Sequence, residues 1–291
     1  MPADADPDFP PIVLTFAASD PSGGAGMQAD ILTLASMGCH PLSVLTAITV
    51  QDTLGVEGIM ALDAEWVADQ ARCLLEDMPV DAFKIGVLGS VENIAAIAEI
   101  LSDYPDVPVV FDPVRSSGRG DELASEEMAH AVRELLLPHT TVLTPNSMEA
   151  RWLADVDDDD DPSLSACAEK LLEMGAEFVL ITGTHEATPQ VVNTLYGTKG
   201  AVRTDTWQRL AGSYHGSGCT LASAIAAMLA NGLEIAEAVR EAQDYTWHTL
   251  KKAYRPGMGQ FLPDRLFWAR EDTDAPKDDD TPHATDVRGS H

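Results

Sequence analysis

The chain has 291 residues, of which 45% are apolar, so it is long enough for one large α/β domain or two modest ones with a sizeable core. It carries 47 acidic and 18 basic residues, a net charge of −29, and residues 271–291 hold only seven of those acids. The folded part is therefore strongly acidic itself. Such a surface repels nucleic acid and anionic lipid, which we do not expect as partners, and it suits a salt-rich cytoplasm.

We find no membrane or targeting signal in the sequence. No apolar run reaches the roughly 18 residues that a membrane span needs. The opening MPADADPDFPP lacks the cationic and apolar segments of a secretory signal. The cysteines are scattered without a CxxC pair, which argues against a disulfide framework or a zinc site; they are Cys39, Cys73, Cys167 and Cys219. We expect a cytoplasmic protein.

Apolar runs alternate with amphipathic segments along most of the chain. The strand-like runs cover 11–19, 42–51, 56–62, 82–88, 107–114, 140–146, 177–183, 190–197 and 201–208. The helical patterns cover 27–38, 65–77, 91–103, 125–137, a segment from about 147, 163–174, 219–230 and 234–252. The last two strand-like runs predict a hairpin around TKG. This alternation predicts a three-layer α/β/α domain with a central, mostly parallel sheet.

The predicted domain covers residues 11–270. Residues 1–10 are acidic and Pro-rich, which predicts a flexible N-terminus, and residues 271–291 have the composition of a disordered acidic tail. The final RGSH resembles a remnant of an expression tag. The run DVDDDDD at 155–161 is a solvated turn in the simplest interpretation, although a cation site is an alternative.

The segment HGSGCT at 215–220 combines glycines, a cysteine and the start of an Ala-rich helix. Glycines let several N–H groups turn toward one point, and the helix adds the positive end of its dipole. This arrangement predicts an anion hole for a phosphoryl group. A thiol at such a helix start is expected to have a lowered pKa, which makes Cys219 a candidate proton acceptor. The alternative is a helix start with a small buried thiol.

Three polar side chains follow predicted strands in TPNSMEA and FDPV. Asn146 and Glu149 are three residues apart at a helix start, the spacing of a simple capping arrangement. Together with Asp112, they could instead organise Mg²⁺, which keeps several waters and takes few protein ligands.

Gln51 ends an apolar strand in TAITVQDTLGV. A carboxamide offers a donor beside an acceptor, the pattern that pairs with an aminopyrimidine edge as it does with adenine. A strand-end residue in solvent explains Gln51 equally well.

In this order the segments resemble the ribokinase superfamily, and closely the hydroxymethylpyrimidine/phosphomethylpyrimidine kinases of thiamine biosynthesis. The resemblance spans residues 12 to 268 and rests on SDPSGGAGMQAD, TAITVQDTLGV, KIGVLGS, VVFDPV, TPNSMEA, ITGTH and SYHGSGCTLASA. It implies phosphorylation by ATP of 4-amino-5-hydroxymethyl-2-methylpyrimidine and then of its monophosphate, with Mg²⁺. It also implies a homodimer, since the family is commonly dimeric.

The resemblance assigns roles residue by residue. It places Gln51 at the pyrimidine edge and Asp30 near the hydroxymethyl group. The side chains that it implies around the pyrimidine are Ala18, Val87 and Val114. It places Cys219 beside the acceptor oxygen, within an anion hole formed by Gly216, Ser217 and Gly218. The residues that it implies at Mg²⁺, the phosphates and the nucleotide are Asp112, Glu149, Asn146, Thr182 and Gly183.

Arg115 and Arg119, in the loop after Asp112, are further candidates for positive charge beside the nucleotide or the monophosphate. The same loop, SSGRGDE at 116–122, has the composition of a flap that could close over the site.

Two other functions stay open. A pyridoxal kinase of the same superfamily sometimes shares the cysteine anion hole, but Gln51 in TVQDT favours a pyrimidine. A non-catalytic pyrimidine-sensing module is the second, and the presence of Asn146, Glu149 and Cys219 without a DNA-binding segment favours an enzyme.

Overall fold

The structure, a computed structural model, describes residues 9–116, 120–155 and 162–270. Several sequence predictions fall outside these residues: most of the N-terminal segment, Arg119, the aspartate run from 156 onward and the tail 271–291.

A mostly parallel sheet forms the centre of the fold. The strands are β1 (Ile12–Ala17), β2 (His40–Leu45), β3 (Ala47–Gln51), β4 (Val56–Ala61), β5 (Ala82–Ile85), β6 (Val109–Phe111), β7 (Val142–Leu143), β8 (Phe178–Thr182), β9 (Gln190–Gly197) and β10 (Gly200–Gln208). Eight of them pair in the order β10-β9-β8-β7-β6-β5-β1-β2. Those from β8 to β2 run parallel, while β9 and β10 form the predicted antiparallel hairpin at one edge.

Helices cover both faces of this sheet. They are α1 (Gly26–Ser36), α2 (Ala64–Asp77), α3 (Val91–Ser102), α4 (Glu126–Ala131), α5 (Ser147–Leu153), α6 (Leu164–Glu173), α7 (Ser217–Ala230) and α8 (Ile235–Lys251). One apolar core lies between the sheet and α1, α7 and α8, and the other lies under α2, α3, α4 and α6. The three-layer prediction is confirmed. Within the described ranges, no helix is long and apolar enough to cross a bilayer.

The sequence predicts one strand over 42–51, whereas the structure has two. The break is at Thr46, whose buried hydroxyl donates to the carbonyl oxygen of Val87 at 2.6 Å. Its N–H donates to Ala17 and its carbonyl accepts from Leu62. These bonds end β2 beside β1, and β3 then pairs with β4 in a separate two-stranded sheet, the β3–β4 hairpin.

The helix predicted over 125–137 also differs in its second half. Helix α4 ends at Ala131, residues 132–136 wind as a π-helix, and residues 137–139 form a 3₁₀ turn. Pro138 has no N–H to donate to the preceding turn, so a regular α-helix cannot continue through it.

The carboxyl ends of the parallel strands lie along one edge of the sheet. Ala18 follows β1, Asp112 follows β6 and Gly183 follows β8. In open α/β sheets this edge is where ligands bind, so the fold gathers the predicted site residues from distant parts of the chain.

Candidate active site

Two glycine-rich loops, 20–26 and 215–218, are in direct contact. Gly216 has a φ of +76°, and a Cβ built on it would lie 1.9 Å from the carbonyl oxygen of Gly24. A Cβ on Gly24 would in turn lie 2.3 Å from the His215 ring. Both positions need glycine because the two segments pass too closely for side chains.

Helix α7 begins in this contact. Its N-cap residue, Gly216, has no side chain to accept from the N–H groups of the first turn. Ser217 is partly exposed and Gly218 is exposed. Uncapped N–H groups at the positive end of a 14-residue helix are the local structure that an anion hole requires. Binding of a phosphoryl group there stays a prediction.

The prediction that the helix start lowers the pKa of Cys219 is wrong. Burial raises the pKa of this thiol to about 12; the ammonium of Lys84 opposes that shift, whereas the carboxylates of Asp112 and Asp30 add to it. The side chain is therefore a neutral thiol near pH 7, as in the alternative interpretation of a small buried group.

Near Cys219 lies a fully buried ion pair between Lys84 and Asp30. The Lys84 Nζ is 2.9 Å from the Asp30 Oδ2, and neither side chain is exposed. Thr15 and Ser223 donate their hydroxyls to the same carboxylate, at 2.8 and 2.7 Å. Burial lowers the pKa of Lys84, but the negative groups around it, the carboxylate of Asp30 foremost, together raise the pKa above its usual value.

The place near the hydroxymethyl group that the resemblance implies for Asp30 stays a prediction. The structure encloses the Asp30 carboxylate among protein groups and leaves none of it exposed. Its partners explain why: both oxygens accept hydrogen bonds from buried donors.

Asp112 and Glu149 form a pair of buried carboxylates. Burial raises the pKa of Asp112 to about 6, and burial together with the charge of Asp112 raises that of Glu149 to about 8. Among the described residues, Oδ2 of Asp112 has no hydrogen-bond partner. Two carboxylates short of positive charge, with an unpartnered oxygen, fit a cation that takes few protein ligands.

Asn146 and Glu149 also form the capping arrangement that the spacing predicts. The side-chain oxygen of Asn146 accepts from the N–H groups of Met148 and Glu149, both at 2.9 Å. The Glu149 carboxylate accepts from the N–H of Asn146 at 2.9 Å. Capping holds this carboxylate at the sheet edge, and its binding to a metal stays a prediction.

The residues predicted along the nucleotide come together at the ends of β7 and β8. Thr182 donates its N–H to Pro145 and forms a parallel bridge with Asn146. A Cβ on Gly183 would lie 2.3 Å from the carbonyl oxygen of Val192, so this position must be glycine.

Gln51 reaches from the β3–β4 hairpin to the second glycine-rich loop. Its amide lies 2.9 Å from Nε2 of His215, and the same nitrogen lies 2.8 Å from Oδ2 of Asp20. Burial opposes ionisation of Asp20, but hydrogen bonds from His215, Ser22 and the N–H of Ala25, with the attraction of His215, together lower its pKa. The His215 nitrogen therefore carries the proton and donates to Asp20.

This proton fixes the orientation of the Gln51 amide. A protonated Nε2 has no lone pair, so the amide atom that faces it must be the oxygen. The amide nitrogen is then the Gln51 atom that lies 3.2 Å from Oγ1 of Thr49, and it donates to that oxygen. The Thr49 hydroxyl in turn donates to the carbonyl oxygen of Ser19 at 2.8 Å. Asp20 therefore sets the orientation of the Gln51 carboxamide through His215.

The apolar residues predicted around the pyrimidine lie at neighbouring strand ends. Ala18 is buried after β1 and Val87 is half-buried after β5. Val114 lines a small apolar cavity of about 20 Å³ with Gly86 and Leu88.

Both the guanidinium and the backbone N–H of Arg115 already have partners within the protein. Its guanidinium lies 5.3 Å from the centre of the Trp152 ring, and its N–H donates to the Glu149 carboxylate at 3.3 Å. Arg119 lies outside the described residues, so its predicted role stays a prediction.

The sequence analysis missed Asp20, Lys84 and Arg265 in this region. Lys84 carried a signal, since a charged side chain inside the apolar run AFKIGVL needs a buried partner. Asp20 heads a glycine-rich loop, where a carboxylate often accepts from loop N–H groups. Arg265 carried no signal.

The fold and the polar groups along this sheet edge define a ribokinase-like phosphotransferase. The chain belongs to the phosphomethylpyrimidine kinase family, whose model matches residues 20–264. The hydroxymethylpyrimidine/phosphomethylpyrimidine kinase of Streptomyces coelicolor is 40% identical over 263 residues, 89% of this chain and 96% of that enzyme. The Escherichia coli enzyme of the same name is 34% identical over 241 residues, 82% and 91% of the two chains.

Solved structures show the same fold. A Bacillus subtilis pyridoxal kinase in complex with ADP superposes with a TM-score of 0.81 at 30% identity, covering 89% of this chain and 98% of that one. The phosphomethylpyrimidine kinase of Clostridium difficile superposes with a TM-score of 0.69 at 36% identity, covering 81% and 97%.

Proposed function

We propose that this kinase uses ATP to phosphorylate 4-amino-5-hydroxymethyl-2-methylpyrimidine, and then its monophosphate, in thiamine biosynthesis. The observation that carries the proposal is the contact of Gln51 with His215, which joins a pyrimidine-pairing amide to the loop that begins the anion hole. Family membership and the similarity to enzymes of that name support it.

The chain's own residues supply binding, orientation and charge. Asp112 and Glu149 would hold Mg²⁺, which would neutralise charge on the nucleotide phosphates. Asn146, Thr182 and Gly183 would lie along the nucleotide, and solved relatives with ADP support that use. The N–H groups at the start of α7 would stabilise the transferred phosphoryl group, in which negative charge spreads over the equatorial oxygens.

The role of Cys219 follows from its protonation. With a pKa raised to about 12, the thiol is a poor proton acceptor near pH 7. Phosphoryl transfer proceeds through a loose transition state and depends little on a base. We therefore assign Cys219 to the wall beside the acceptor oxygen rather than to deprotonation.

The decisive experiment offers the purified protein ATP, Mg²⁺ and the hydroxymethylpyrimidine, and separates the mono- and diphosphate products by chromatography. We expect both products. Absence of ATP consumption with the hydroxymethylpyrimidine and with its monophosphate would end the proposal.

Pyridoxal is the second candidate substrate, since a pyridoxal kinase shares this fold with a TM-score of 0.81. We expect kcat/KM to favour the pyrimidine because Gln51 offers a donor and an acceptor together. A matched assay with pyridoxal in the same buffer measures the preference, and a Gln51→Leu variant should lose the pyrimidine activity selectively. No ATP turnover with either substrate would favour the non-catalytic sensing module.

We also propose a cytoplasmic homodimer. All four cysteines are free thiols, which suits a reducing compartment. The β3–β4 hairpin exposes apolar side chains, with Val50 63% and Met60 57% exposed, and a second copy could cover them. Light scattering after size-exclusion chromatography, on the wild type and a Val50→Asp variant, tests the assembly.

A further inference from the structure

Arg265 is a buried cation behind the two glycine-rich loops. It is 4% exposed, in the segment that follows α8. Its guanidinium forms no ion pair with a carboxylate in the described parts of the chain and bonds neutral oxygens instead. Burying a charge in this way is costly unless something else compensates it.

The guanidinium contacts both loops. Its Nη2 and Nη1 donate to the carbonyl oxygens of Gly24 and Gly23. Its Nε donates to the Thr220 hydroxyl at 3.0 Å, and that hydroxyl donates to the carbonyl of Gly216 at 2.8 Å. One side chain therefore fixes the close contact between loops 20–26 and 215–218.

Among the described residues, no carboxylate bonds the Arg265 guanidinium directly. The other buried cation, Lys84, is neutralised by Asp30 at 2.9 Å. Asp30 attracts the guanidinium without bonding to it and is already paired with Lys84, and the Cys219 thiol is neutral near pH 7. In a chain of net charge −29, a fixed positive charge behind the anion hole would favour an incoming phosphate.

We propose that Arg265 is a positioning residue for phosphoryl transfer. It holds the Gly216–Cys219 backbone in place through Thr220 and Gly24, and it adds positive charge behind the N–H groups that receive the γ-phosphoryl group. This inference rests on the proposed function, because it concerns the same anion hole, and it adds a residue that contacts neither substrate nor nucleotide.

The test compares binding of AMP-PCP, which carries a γ-phosphoryl group, with binding of ADP, which does not. Isothermal titration calorimetry gives both dissociation constants in Mg²⁺ buffer, and their ratio isolates the γ-position from the rest of the nucleotide. We expect Arg265→Gln to reduce the preference for AMP-PCP by about tenfold or more, because the variant loses both the positive charge behind the anion hole and the charged hydrogen bonds that hold the two loops. Arg265→Lys keeps the charge, and we expect it to stay within about threefold of the wild type.

The matched control is Arg270→Gln. Arg270 lies five residues further on, its side chain is 62% exposed, and it pairs with Asp264 at 2.8 Å. We expect the wild-type ratio in this variant, and circular dichroism confirms that each variant is folded.

The outcomes separate the two proposals. A folded Arg265→Gln variant with the wild-type ratio overturns the inference, as does a wild type without preference for AMP-PCP. If Arg265→Gln fails to fold, Arg265→Lys decides: a retained preference supports the charge, and a loss of tenfold rejects it. A wild type that prefers AMP-PCP but phosphorylates neither pyrimidine nor pyridoxal contradicts the proposed function while leaving the inference intact.

Discussion

Burial, more than the helix terminus, decides the protonation of the side chains in the site. A helix N-terminus stabilises a nearby anion by about 0.3–1 kcal/mol, up to about 2 when partly buried. The pKa of Cys219 rises from 9.0 to about 12, which corresponds to about 4 kcal/mol against the thiolate. Desolvation therefore outweighs the dipole, and the same effect keeps Glu149 protonated to about pH 8 when no cation is bound.

Substitution of Cys219 tests its role directly. If the thiol is neutral, Cys219→Ala should lower kcat by similar factors for the alcohol and for the monophosphate, since neither step uses it to take a proton. Cys219→Ser, a near-isostere, should stay within about tenfold of the wild type in both steps. Each step is measured on its separate substrate.

A base role would give a different pattern. The first acceptor is a neutral alcohol that must lose a proton, whereas the monophosphate is already anionic near pH 7. A loss of about 10²- to 10⁴-fold in the first step alone would restore Cys219 as the general base.

The Lys84–Asp30 pair should dominate local stability. Lys84→Met removes one partner and leaves the Asp30 carboxylate buried without its counter-charge, which typically costs about 3–5 kcal/mol. Urea unfolding measures the loss. The double variant Lys84→Met with Asp30→Leu should recover part of it, because neither charge of this pair is then left buried without its partner.

The exposed pair between Arg72 and Glu99 provides the control. Their side chains are 50% and 71% exposed, and pairs of this kind contribute about 0–1 kcal/mol. Arg72→Met should therefore change the free energy of unfolding by less than about 1 kcal/mol. A Lys84→Met variant as stable as Arg72→Met would show that the buried pair does not stabilise the fold.

At the level of elements, the site depends on how α7 begins. The helix starts at Ser217, two residues earlier than its pattern predicts, and Gly216 lies against Gly24 in the other loop. This contact joins the end of β1 to the start of α7. The geometry of the anion hole is therefore set by two segments almost 200 residues apart.

Gly216→Ala should separate these loops. The new Cβ would lie 1.9 Å from the Gly24 carbonyl, so one loop must move and the N–H groups of α7 with it. We expect kcat/KM to fall at least about 100-fold, as for other losses of a preorganised donor set.

Gly232→Ala is the matched control, at the other end of α7. Gly232 has a similar φ of +82°, but a Cβ there would meet nothing within 4 Å. It should lose about 1–2 kcal/mol of stability from backbone strain and keep its activity. Equal activity losses in both variants would mean that strain, rather than the loop contact, explains the effect.

The elements themselves could be predicted from the sequence because apolar runs and helical patterns are local signals. The break at Thr46 could not, since the bonds that make it come from Val87, Ala17 and Leu62. The protonation of Cys219 was also beyond the local sequence, because it depends on carboxylates and a lysine brought together by folding. The motifs located the glycine-rich loops, and the charge of Lys84 inside an apolar run indicated a buried partner, but no local pattern indicated Arg265 behind the loops.

For the whole molecule, the net charge of −29 sets how stability responds to salt. Like charges repel most strongly in the compact state, and this repulsion is screened as the Debye length falls from about 10 Å at 0.1 M to about 3 Å at 1 M. Salt also weakens exposed ion pairs such as Arg72–Glu99, but each contributes little.

We therefore expect KCl to stabilise the protein. Because repulsion among the excess acids outweighs the few exposed pairs, the thermal midpoint measured by calorimetry should rise by several degrees between 0.1 and 1 M KCl, at about 2–4 °C per kcal/mol. Screening saturates with concentration, so most of the rise should come below about 0.5 M. An excluded osmolyte such as sucrose acts without screening and should give a linear rise instead. A midpoint that stays constant or falls in KCl would show that self-repulsion does not limit the stability of this acidic fold.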